Sequence, residues 1–321
     1  MRHQRYNPDF KFVKYPENFN KYTDRELLQY CLGATMYMPG TKDFLPKILN
    51  CAMPGLTPIV FCFEDACAES EVPVAEENVL RTLDAISTAI DNGTLNHDDV
   101  PLIFCRVRNQ EQFVSFSERL TPHMAKALTG INFPKFNSEN GDAYFAHLKK
   151  LSTELGEILY GMPIIEDPRV AYKESRMQEL MSIRAILNKY YDMVLQIRVG
   201  GTDFSSCFGV RRGVDYSIYD IMTVRECLVD ILNVFTRNNE FRGDLPIGVK
   251  LDKRSGKYQA RCNDGQRNRV CLGTYSTPEE AFYAYKEYKE TIIKEIADSY
   301  QNEIPIILYE AMYNYEVEIN D

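Results

Sequence analysis

Apolar runs of strand length alternate with helical stretches along most of the chain. The runs cover residues 34–38, 58–63, 102–107, 130–134, 158–165 and 193–199. Apolar residues at helical spacing mark residues 73–91, 142–155 and 173–190, and Asp24 is placed to cap a short helix before the first run. This alternation predicts a parallel sheet, because parallel neighbours need crossover connections. Nearly continuous apolar strands further predict that both faces of the sheet are covered.

Two architectures satisfy this pattern, a (β/α) barrel and an open doubly wound sheet. The first strand is followed by neither GxGxxG nor GxxxxGK[ST]. This absence disfavours an open sheet that binds a nucleotide.

The hydrophobic pattern changes near Gly243. Three short strands, at 248–251, 258–262 and 269–272, are separated by turns that contain Gly256 and Gly265. Thr277, Pro278 and Glu280 then mark the start of a helix. The pattern predicts two domains: an α/β barrel over residues 1–243 and a small α+β domain over 244–321, with a three-stranded antiparallel sheet and a helix.

Composition narrows the class of protein. The 321 residues are 45% hydrophobic and 26% charged, which is typical of a globular chain, and the net charge of -9 argues against binding nucleic acid along the whole length. Nine cysteines without CxxC pairs indicate a reducing compartment, so we expect a cytoplasmic protein. No apolar run approaches the length of a membrane span, and we expect no membrane partner.

Charged residues stand at the ends of five consecutive predicted strands. They are Glu64 and Asp65, Arg106, Lys135, Glu166, and Asp203. Each one alone is better explained as a helix cap or a rim charge. In a barrel, however, the carboxyl ends of the strands meet at one mouth. Acids from different strands could there bind a hard divalent cation, and Arg106 and Lys135 could neutralise an anionic substrate.

Six segments carry a resemblance to a known superfamily. They are MPG at 38–40, FEDA at 63–66, FCRVRN at 104–109, FPKF at 133–136, PIIED at 163–167 and GGTDFSSCFGVRRGVDY at 200–216. Together they resemble the citrate lyase β-subunit and HpcH/HpaI aldolase superfamily. Within it, they are most similar to the carbon–carbon bond lyases of tellurite-resistance clusters. The resemblance covers about the first three quarters of the chain.

The resemblance implies a Mg²⁺-dependent lyase, with Mn²⁺ as an alternative ion. Glu166 and Asp203 match the family's metal ligands, and Arg106 matches its substrate-binding arginine. Glu64 and Asp65 match an acidic pair that orients the metal's waters. We add Lys135 as a catalytic cation and Arg211 and Arg212 as binders of an anionic hydroxyacyl or carboxylate substrate. His97, His123 and His147 lie away from the strand ends, so a metal-bound water or an acid is the expected proton acceptor.

The predicted barrel is incomplete. The pattern gives six strands, whereas the family's barrel has eight, and a helix at 223–237 is followed by the change in composition. An open parallel sheet has two unpaired edges. We therefore expect weak or absent lyase activity.

The C-terminal segment has a different charge balance. Residues 247–275 hold seven basic and two acidic side chains, against an acidic chain overall. GVKLDKRSGKYQAR and LGTYSTPEEAFYAY resemble the APETALA/ethylene-response-factor DNA-binding domain, in the form that accompanies phage homing endonucleases. The resemblance implies a sheet that binds duplex DNA. The matching residues are Arg254, Lys257, Tyr258, Arg261 and Arg269. A solvated basic hairpin is the alternative.

Two functions from different classes remain open. One is a lyase fused to a DNA-binding module. The other is a sequence-specific DNA-binding protein of mobile-element origin whose lyase part is inactive. No HNH nuclease motif occurs, so neither hypothesis includes cleavage of DNA. The sequence leaves self-association into a homo-oligomer open.

Overall fold

A computed structural model describes residues 9–12, 17–53, 55–236, 245–252, 255–264 and 269–319. The chain divides into two compact units, one ending at Ile231 and one beginning at Leu232. The predicted domain boundary between residues 243 and 244 lies outside the described residues. Within those residues, no helix is long and apolar enough to cross a bilayer.

The first unit is built on a parallel sheet. Its strands, six among the described residues, are β1 (Met36–Pro39), β2 (Pro58–Cys62), β3 (Leu102–Arg106), β4 (Leu128–Phe133), β5 (Tyr160–Ile165) and β6 (Arg198–Val199). They lie side by side in chain order, and all pairings are parallel. The prediction of an incomplete TIM-type barrel is thereby confirmed, and the open doubly wound sheet, which reverses strand order, is not found.

Helices connect the strands. They are α1 (Arg25–Leu28), α2 (Leu45–Leu49), α3 (Val72–Asp91), α4 (Gln110–Ser117), α5 (Pro122–Ala125), α6 (Gly141–Leu155), α7 (Pro168–Ala171), α8 (Lys173–Lys189), α9 (Gly201–Cys207) and α10 (Met222–Phe235). Strands β2 to β5 are buried along their whole length, as their continuous apolar runs predict. The Asp24 side chain accepts a hydrogen bond from the Glu26 N–H, so the predicted cap of α1 is confirmed.

Residues that precede β1 pack against buried side chains of the parallel sheet. Phe19, Leu28 and Leu32 belong to one buried cluster with Val60, Leu102, Phe104, Tyr160, Met162 and Leu195. Arg25 also donates a hydrogen bond of 3.1 Å to the carbonyl of Val194. Side chains of α1 and its flanks thus cover apolar surface that an open sheet would otherwise expose.

The last strand is shorter than predicted. The run at 193–199 predicts one continuous strand, but only Arg198–Val199 pair regularly with β5, and Val194 forms an isolated bridge to Gly161. Among the described strands, β6 is an edge strand with a neighbour on one side only. Fewer ladder hydrogen bonds hold its backbone, which is why an apolar run alone overestimates its length.

The second unit contains β7 (Val249–Asp252), β8 (Lys257–Asn263), β9 (Arg269–Tyr275), α11 (Pro278–Ser299) and α12 (Ile306–Tyr313). Its three strands, counted within the described residues, pair antiparallel in the order β7-β8-β9. Phe282 and Tyr285 of α11 form a buried cluster with Cys262 of β8, against which Leu272 packs. The predicted small α+β fold is confirmed.

Candidate active site at the carboxyl edge of the parallel sheet

The charged residues predicted at the strand ends lie together in the structure. Glu64 and Asp65 follow β2, Arg106 ends β3, Lys135 follows β4 and Glu166 follows β5. Asp203 lies in the first turn of α9, directly after β6. Because the strands are parallel, all of these positions fall on one edge of the sheet.

Arg106 lies at the centre of this group and is 8% exposed. Its Nη2 forms ion pairs with Glu64 Oε2 and, at 3.1 Å, with Glu166 Oε1. Its Nη1 lies 3.0 Å from Asp65 Oδ2. Burial by itself would lower the pKa of Arg106, but Glu166, Glu64 and Asp65 together hold that pKa above its ordinary value. Arg106 thus joins carboxylates from two different strand ends.

Lys135 contacts Glu64 and Glu166, which also pair with Arg106. It uses its backbone N–H for one and its side-chain amine for the other. Its backbone N–H donates to Glu166 Oε1 at 3.0 Å, and its Nζ donates to Glu64 Oε1 at 2.9 Å. The hydrogen bond to Glu64 raises the pKa of Lys135. The backbone of Lys135 is left-handed, with φ of 47°. A non-glycine residue held in this region is strained, and such strain is often found at functional sites.

Glu166 and Asp203 face each other across Gly200. A Cβ added at Gly200 would lie 2.4 Å from Glu166 Oε2 and 3.0 Å from Asp203 Oδ2. Both oxygens therefore lie within a few ångström of the same point. Burial raises the pKa of Glu166 to about 7, and the nearby charges of Asp203 and Glu64 add to this, against the effects of Arg106 and the Lys135 N–H. A cation beside Glu166 Oε2 and Asp203 Oδ2 would relieve this repulsion.

The donor set fits a hard divalent ion. Among the described residues, the carboxylates of Glu64, Asp65 and Glu166 form ion pairs with Arg106 or Lys135, whereas no cation pairs with Asp203. In the described part of the chain, no group of three or more histidine, cysteine or acidic side chains has a metal-binding arrangement. Mg²⁺ is commonly held by one or two protein carboxylates and keeps several waters. Glu166 and Asp203 are the residues that could hold it.

Other predicted residues lie outside this group. Arg211 and Arg212 are exposed, and the described structure gives neither of them a hydrogen bond or ion pair with the strand-end residues. The histidines that we excluded as bases have other partners. His147 Nε2 lies 2.8 Å from Ser117 Oγ, His123 Nδ1 lies 2.9 Å from Asp84 Oδ1, and the ring of His97 packs edge-on against Tyr22.

Of the residues predicted to contact DNA, three lie on β8 and are divided between its two faces. Lys257 and Arg261 lie on one face of β8, because side chains two residues apart in a strand point the same way. On that face Gln259 Oε1 accepts hydrogen bonds from Arg261 Nε and Nη2 at 3.1 and 2.7 Å. Tyr258 has the parity of buried Ala260 and so falls on the face that α11 covers. Arg254 lies outside the described residues, and Arg269 is described only as part of β9.

Three polar residues near the site were not predicted from the sequence. Tyr37, Asn132 and Arg198 lie inside strand-like runs, and their side chains meet on the concave side of the sheet. The Asn132 amide donates to the Tyr37 hydroxyl at 2.9 Å, and the Arg198 guanidinium lies 5.8 Å from the centre of the Tyr37 ring. The sequence does contain a signal for Asn132 and Arg198, because a polar side chain inside an apolar strand needs a polar partner when it is buried.

Comparisons with known proteins give a family and distant structural likenesses. Residues 26–300 match a family model described as a carbon–carbon bond lyase of the TIM-barrel fold, and the match extends into the second unit. A HpcH/HpaI aldolase/citrate lyase family protein from Burkholderia cenocepacia J2315 is 13% identical over 66% of this chain and 80% of its own, with a TM-score of 0.41. Haloferax volcanii malate synthase, in a lead(II) complex, is 12% identical over 94% of this chain and 97% of its own, with a TM-score of 0.41. No curated protein matches the chain in sequence.

Proposed function

Because the chain belongs to the carbon–carbon bond lyase family of the TIM-barrel fold, we propose that it cleaves a carbon–carbon bond in a small anionic hydroxyacyl or carboxylate substrate with the help of Mg²⁺ or Mn²⁺. The observation that carries this proposal is the meeting of Glu166 Oε2 and Asp203 Oδ2 around Gly200. Their position at the carboxyl edge of the sheet is where function is found in this fold.

The ion would supply Lewis-acid stabilisation of the charge that develops on a substrate oxygen. Glu166 and Asp203 would hold it, while Arg106 and the Lys135 N–H fix the other oxygen of Glu166 at 3.1 and 3.0 Å. This division leaves Glu166 Oε2 oriented towards Asp203. A preorganised carboxylate needs no rearrangement at the moment of reaction.

Arg106 and Lys135 also set the electrostatics of substrate binding. The Asp65 side chain is 60% exposed, so the Arg106–Asp65 pair is the one at the solvent side of the cluster. An anionic group of the substrate could replace Asp65 on Nη1 at little cost in desolvation. Arg106 would then position the substrate while it continues to bind Glu64 and Glu166.

The test is calorimetric titration of the full chain with Mg²⁺. Glu166→Gln and Asp203→Asn should each weaken Mg²⁺ binding by about tenfold or more, because each removes a charged ligand. The control is Glu139→Gln, an exposed acid after β4 that pairs with Arg169. If both site variants bind Mg²⁺ as the parent does, the ion site is wrong.

Activity is measured separately, as release of a carbonyl product from a panel of 3-hydroxy acids and their thioesters. We expect slow turnover that EDTA abolishes and that the two site variants lack. Slow turnover is expected because the sheet is open at β1 and β6. Turnover that EDTA leaves unchanged would contradict the proposed role of the ion.

A second candidate function is binding of duplex DNA by the second unit, with or without lyase activity in the first. The open face of its sheet carries Lys250, Lys257 and Arg261, and α11 covers the other face. Gln259 fixes the Arg261 guanidinium on that face through two hydrogen bonds. A bidentate arginine on a rigid surface is the commonest reader of guanine in the major groove.

Fluorescence anisotropy with the full chain and labelled random duplexes tests this candidate at several salt concentrations. Lys257→Gln should weaken binding to all sequences and lower the salt slope by about one, whereas Arg261→Gln should cost about 1–3 kcal/mol on a preferred site only. Lys294→Gln, an exposed lysine of α11, is the control for loss of one charge. Equal effects of all three variants, or no binding by the parent, would refute DNA binding by this face.

A further inference from the structure

An exposed apolar surface lies on two helices of the first unit and shares no residue with the carboxylate site. It is formed by α8, the residue before it, and α10, and we call it the α8–α10 face. Monomeric proteins rarely expose a continuous apolar surface larger than a few hundred square ångström, and a larger one commonly marks an interface. Its large apolar side chains, each between 40% and 63% exposed, are Tyr172, Met177, Met181, Met222 and Val229.

Ion pairs hold the two helices of this face side by side. Lys173 Nζ lies 2.9 Å from Glu226 Oε2, and Arg176 Nη1 lies 2.8 Å from Asp230 Oδ2. Arg176 is buried, and its guanidinium also donates to two backbone carbonyls of α7. The face is therefore preformed, and a preformed surface loses little conformational entropy when it binds a partner.

A groove runs between α8 and α10. It contains a cavity of about 320 Å³, and both Met177 and Val229 line it. Met181 follows Met177 by one helical turn, and Met222 precedes Val229 by two turns, so these four side chains flank the same groove. A groove with apolar sides between two helices is a surface into which the side-chain ridge of another helix fits.

The segment that joins α9 to α10, residues 208–221, adds exposed apolar side chains at the start of α10. Phe208, at the beginning of this segment, packs edge-on against Tyr172, with 5.9 Å between the ring centres. This contact connects the segment to the α8–α10 face. Its exposed apolar residues are Val210, Val214, Tyr216 and Tyr219.

The α8–α10 face is large enough for one side of a protein interface. Helix α8 has 17 residues and α10 has 14, so they are about 25 and 21 Å long. Side by side they are about 20 Å wide, which gives a flat area of about 500 Å² before the segment 208–221 is included. A standard interface buries about 800 Å² of corrugated accessible surface on each partner.

The charges of this surface determine which partner it suits. Residues 173–189 and 208–235 hold seven basic and six acidic side chains, so their net charge is 7 − 6 = +1, against -9 for the whole chain. A nearly neutral surface offers no electrostatic complement to DNA or to a strongly basic or acidic peptide. It does allow two copies of an acidic chain to meet without repulsion between like charges at the contact.

We propose that the α8–α10 face binds the same face of a second copy of this chain. A two-fold axis places α8 of one copy against α10 of the other, and exposed methionines of each copy enter the groove of its partner. Such an interface is self-complementary, which is the commonest arrangement among homo-oligomers. Methionine is suited to this role because its flexible side chain fills irregular gaps.

Sedimentation of the full chain over a series of micromolar concentrations tests the proposal. Interfaces of standard size have Kd values of about 1 μM or tighter, so the parent should form a dimer. Met177→Asp and Val229→Asp should each raise the dimer Kd about tenfold or more, because each buries an unpaired carboxylate in the contact. High salt should leave the parent dimer intact, because apolar contacts are not screened.

The matched control is Val74→Asp, the same change at a 64% exposed valine of α3. This variant should form a dimer as the parent does. Because all three positions are exposed, the variants should keep the helical circular dichroism signal of the parent. A parent that stays monomeric, or a dimer that neither Met177→Asp nor Val229→Asp weakens, overturns the proposal.

Cross-linking of an equal mixture of isotopically light and heavy chains shows whether the contact lies between copies. Lys173 lines the groove, and its side chain is 71% exposed. Cross-links from Lys173 should join a light chain to a heavy one in the parent and in Val74→Asp, and should be lost in Val229→Asp. Cross-links from Lys173 that join only residues of one chain would show that the chain's own second unit covers the face, and would refute self-association through it.

Discussion

Gly200 separates the carboxylates of Glu166 and Asp203, and its missing side chain lets them approach each other. Its backbone N–H also donates to the Ile165 carbonyl at 3.1 Å, which extends the pairing with β5 up to the site. The φ of Gly200 is -89°, so the backbone itself would accept another residue. A larger residue is excluded because its side chain would overlap with those of Glu166 and Asp203.

We predict that Gly200→Ala impairs ion binding without unfolding the chain. The new Cβ would lie 2.4 Å from Glu166 Oε2, so that the side chain must move away from Asp203. Displacement of a ligand should weaken Mg²⁺ binding by about 10–100-fold. The cost in unfolding free energy should be about 1–3 kcal/mol, as for other overpacked sites. Calorimetric titration and chemical denaturation measure the two effects.

The neighbouring glycine provides the control. A Cβ at Gly201 would meet only side-chain atoms, the nearest being Ile218 Cγ1 at 3.1 Å, and Gly201 begins α9. Gly201→Ala should therefore leave Mg²⁺ affinity near that of the parent. Equal loss of affinity in both variants would mean that general disturbance of the loop, and not contact with Glu166, is the cause.

At the scale of elements, helix α11 shows how a local sequence signal fixes a boundary. Thr277 Oγ1 accepts from the Glu280 N–H at 3.2 Å, and Glu280 Oε2 accepts from the Ser276 and Thr277 N–H groups at 3.0 and 3.3 Å. This capping box satisfies backbone donors that a helix start leaves unpaired. The helix it begins covers one face of the antiparallel sheet.

We predict that Thr277→Ala lowers the unfolding free energy of the second unit by about 1 kcal/mol. The matched control is Thr291→Ala, the same change at an exposed position inside α11, where the hydroxyl donates to the Glu287 carbonyl at 2.8 Å. Alanine favours a helix interior, so this variant should be neutral or slightly stabilising. Thermal denaturation followed by circular dichroism distinguishes the two. The capping argument fails if both variants lose the same stability.

At the scale of the whole molecule, each compact unit has a hydrophobic core of its own. The first is centred on the strands and α1, and the second on β8 and α11. In the first unit, the open sheet is held partly by side chains that cross its concave side, such as Arg198 to Thr35 and Asn132 to Tyr37. Separate cores predict separate unfolding.

We predict two transitions in differential scanning calorimetry of the full chain. Mg²⁺ at 100 times its Kd should stabilise the first unit by about 2.7 kcal/mol and leave the other transition in place. Thr277→Ala should lower only the transition of the second unit, by about 4–8 °C for a unit of that size. A single transition that moves with both changes would show that the units unfold together.

The sequence by itself determined most of the strands, the longer helices and the caps at Asp24 and Thr277, because these depend on residues close together along the chain. Hydrophobic period placed β2 to β5 within a few residues, and the position of charges after each strand placed Glu64, Arg106 and Glu166 at one edge of a parallel sheet. The edge strand β6 was overestimated, because ladder pairing is not a local property.

Only the tertiary structure decided which side chains meet across the curled sheet. The ion pairs of Arg106 with both Glu64 and Glu166 depend on the curl that brings different strand ends together. The left-handed backbone of Lys135 and the contact of Arg198 with Thr35 are likewise absent from any local pattern. Local propensity sets where each strand begins and ends, but contact between distant strands depends on packing of the whole unit, which no short stretch of sequence encodes.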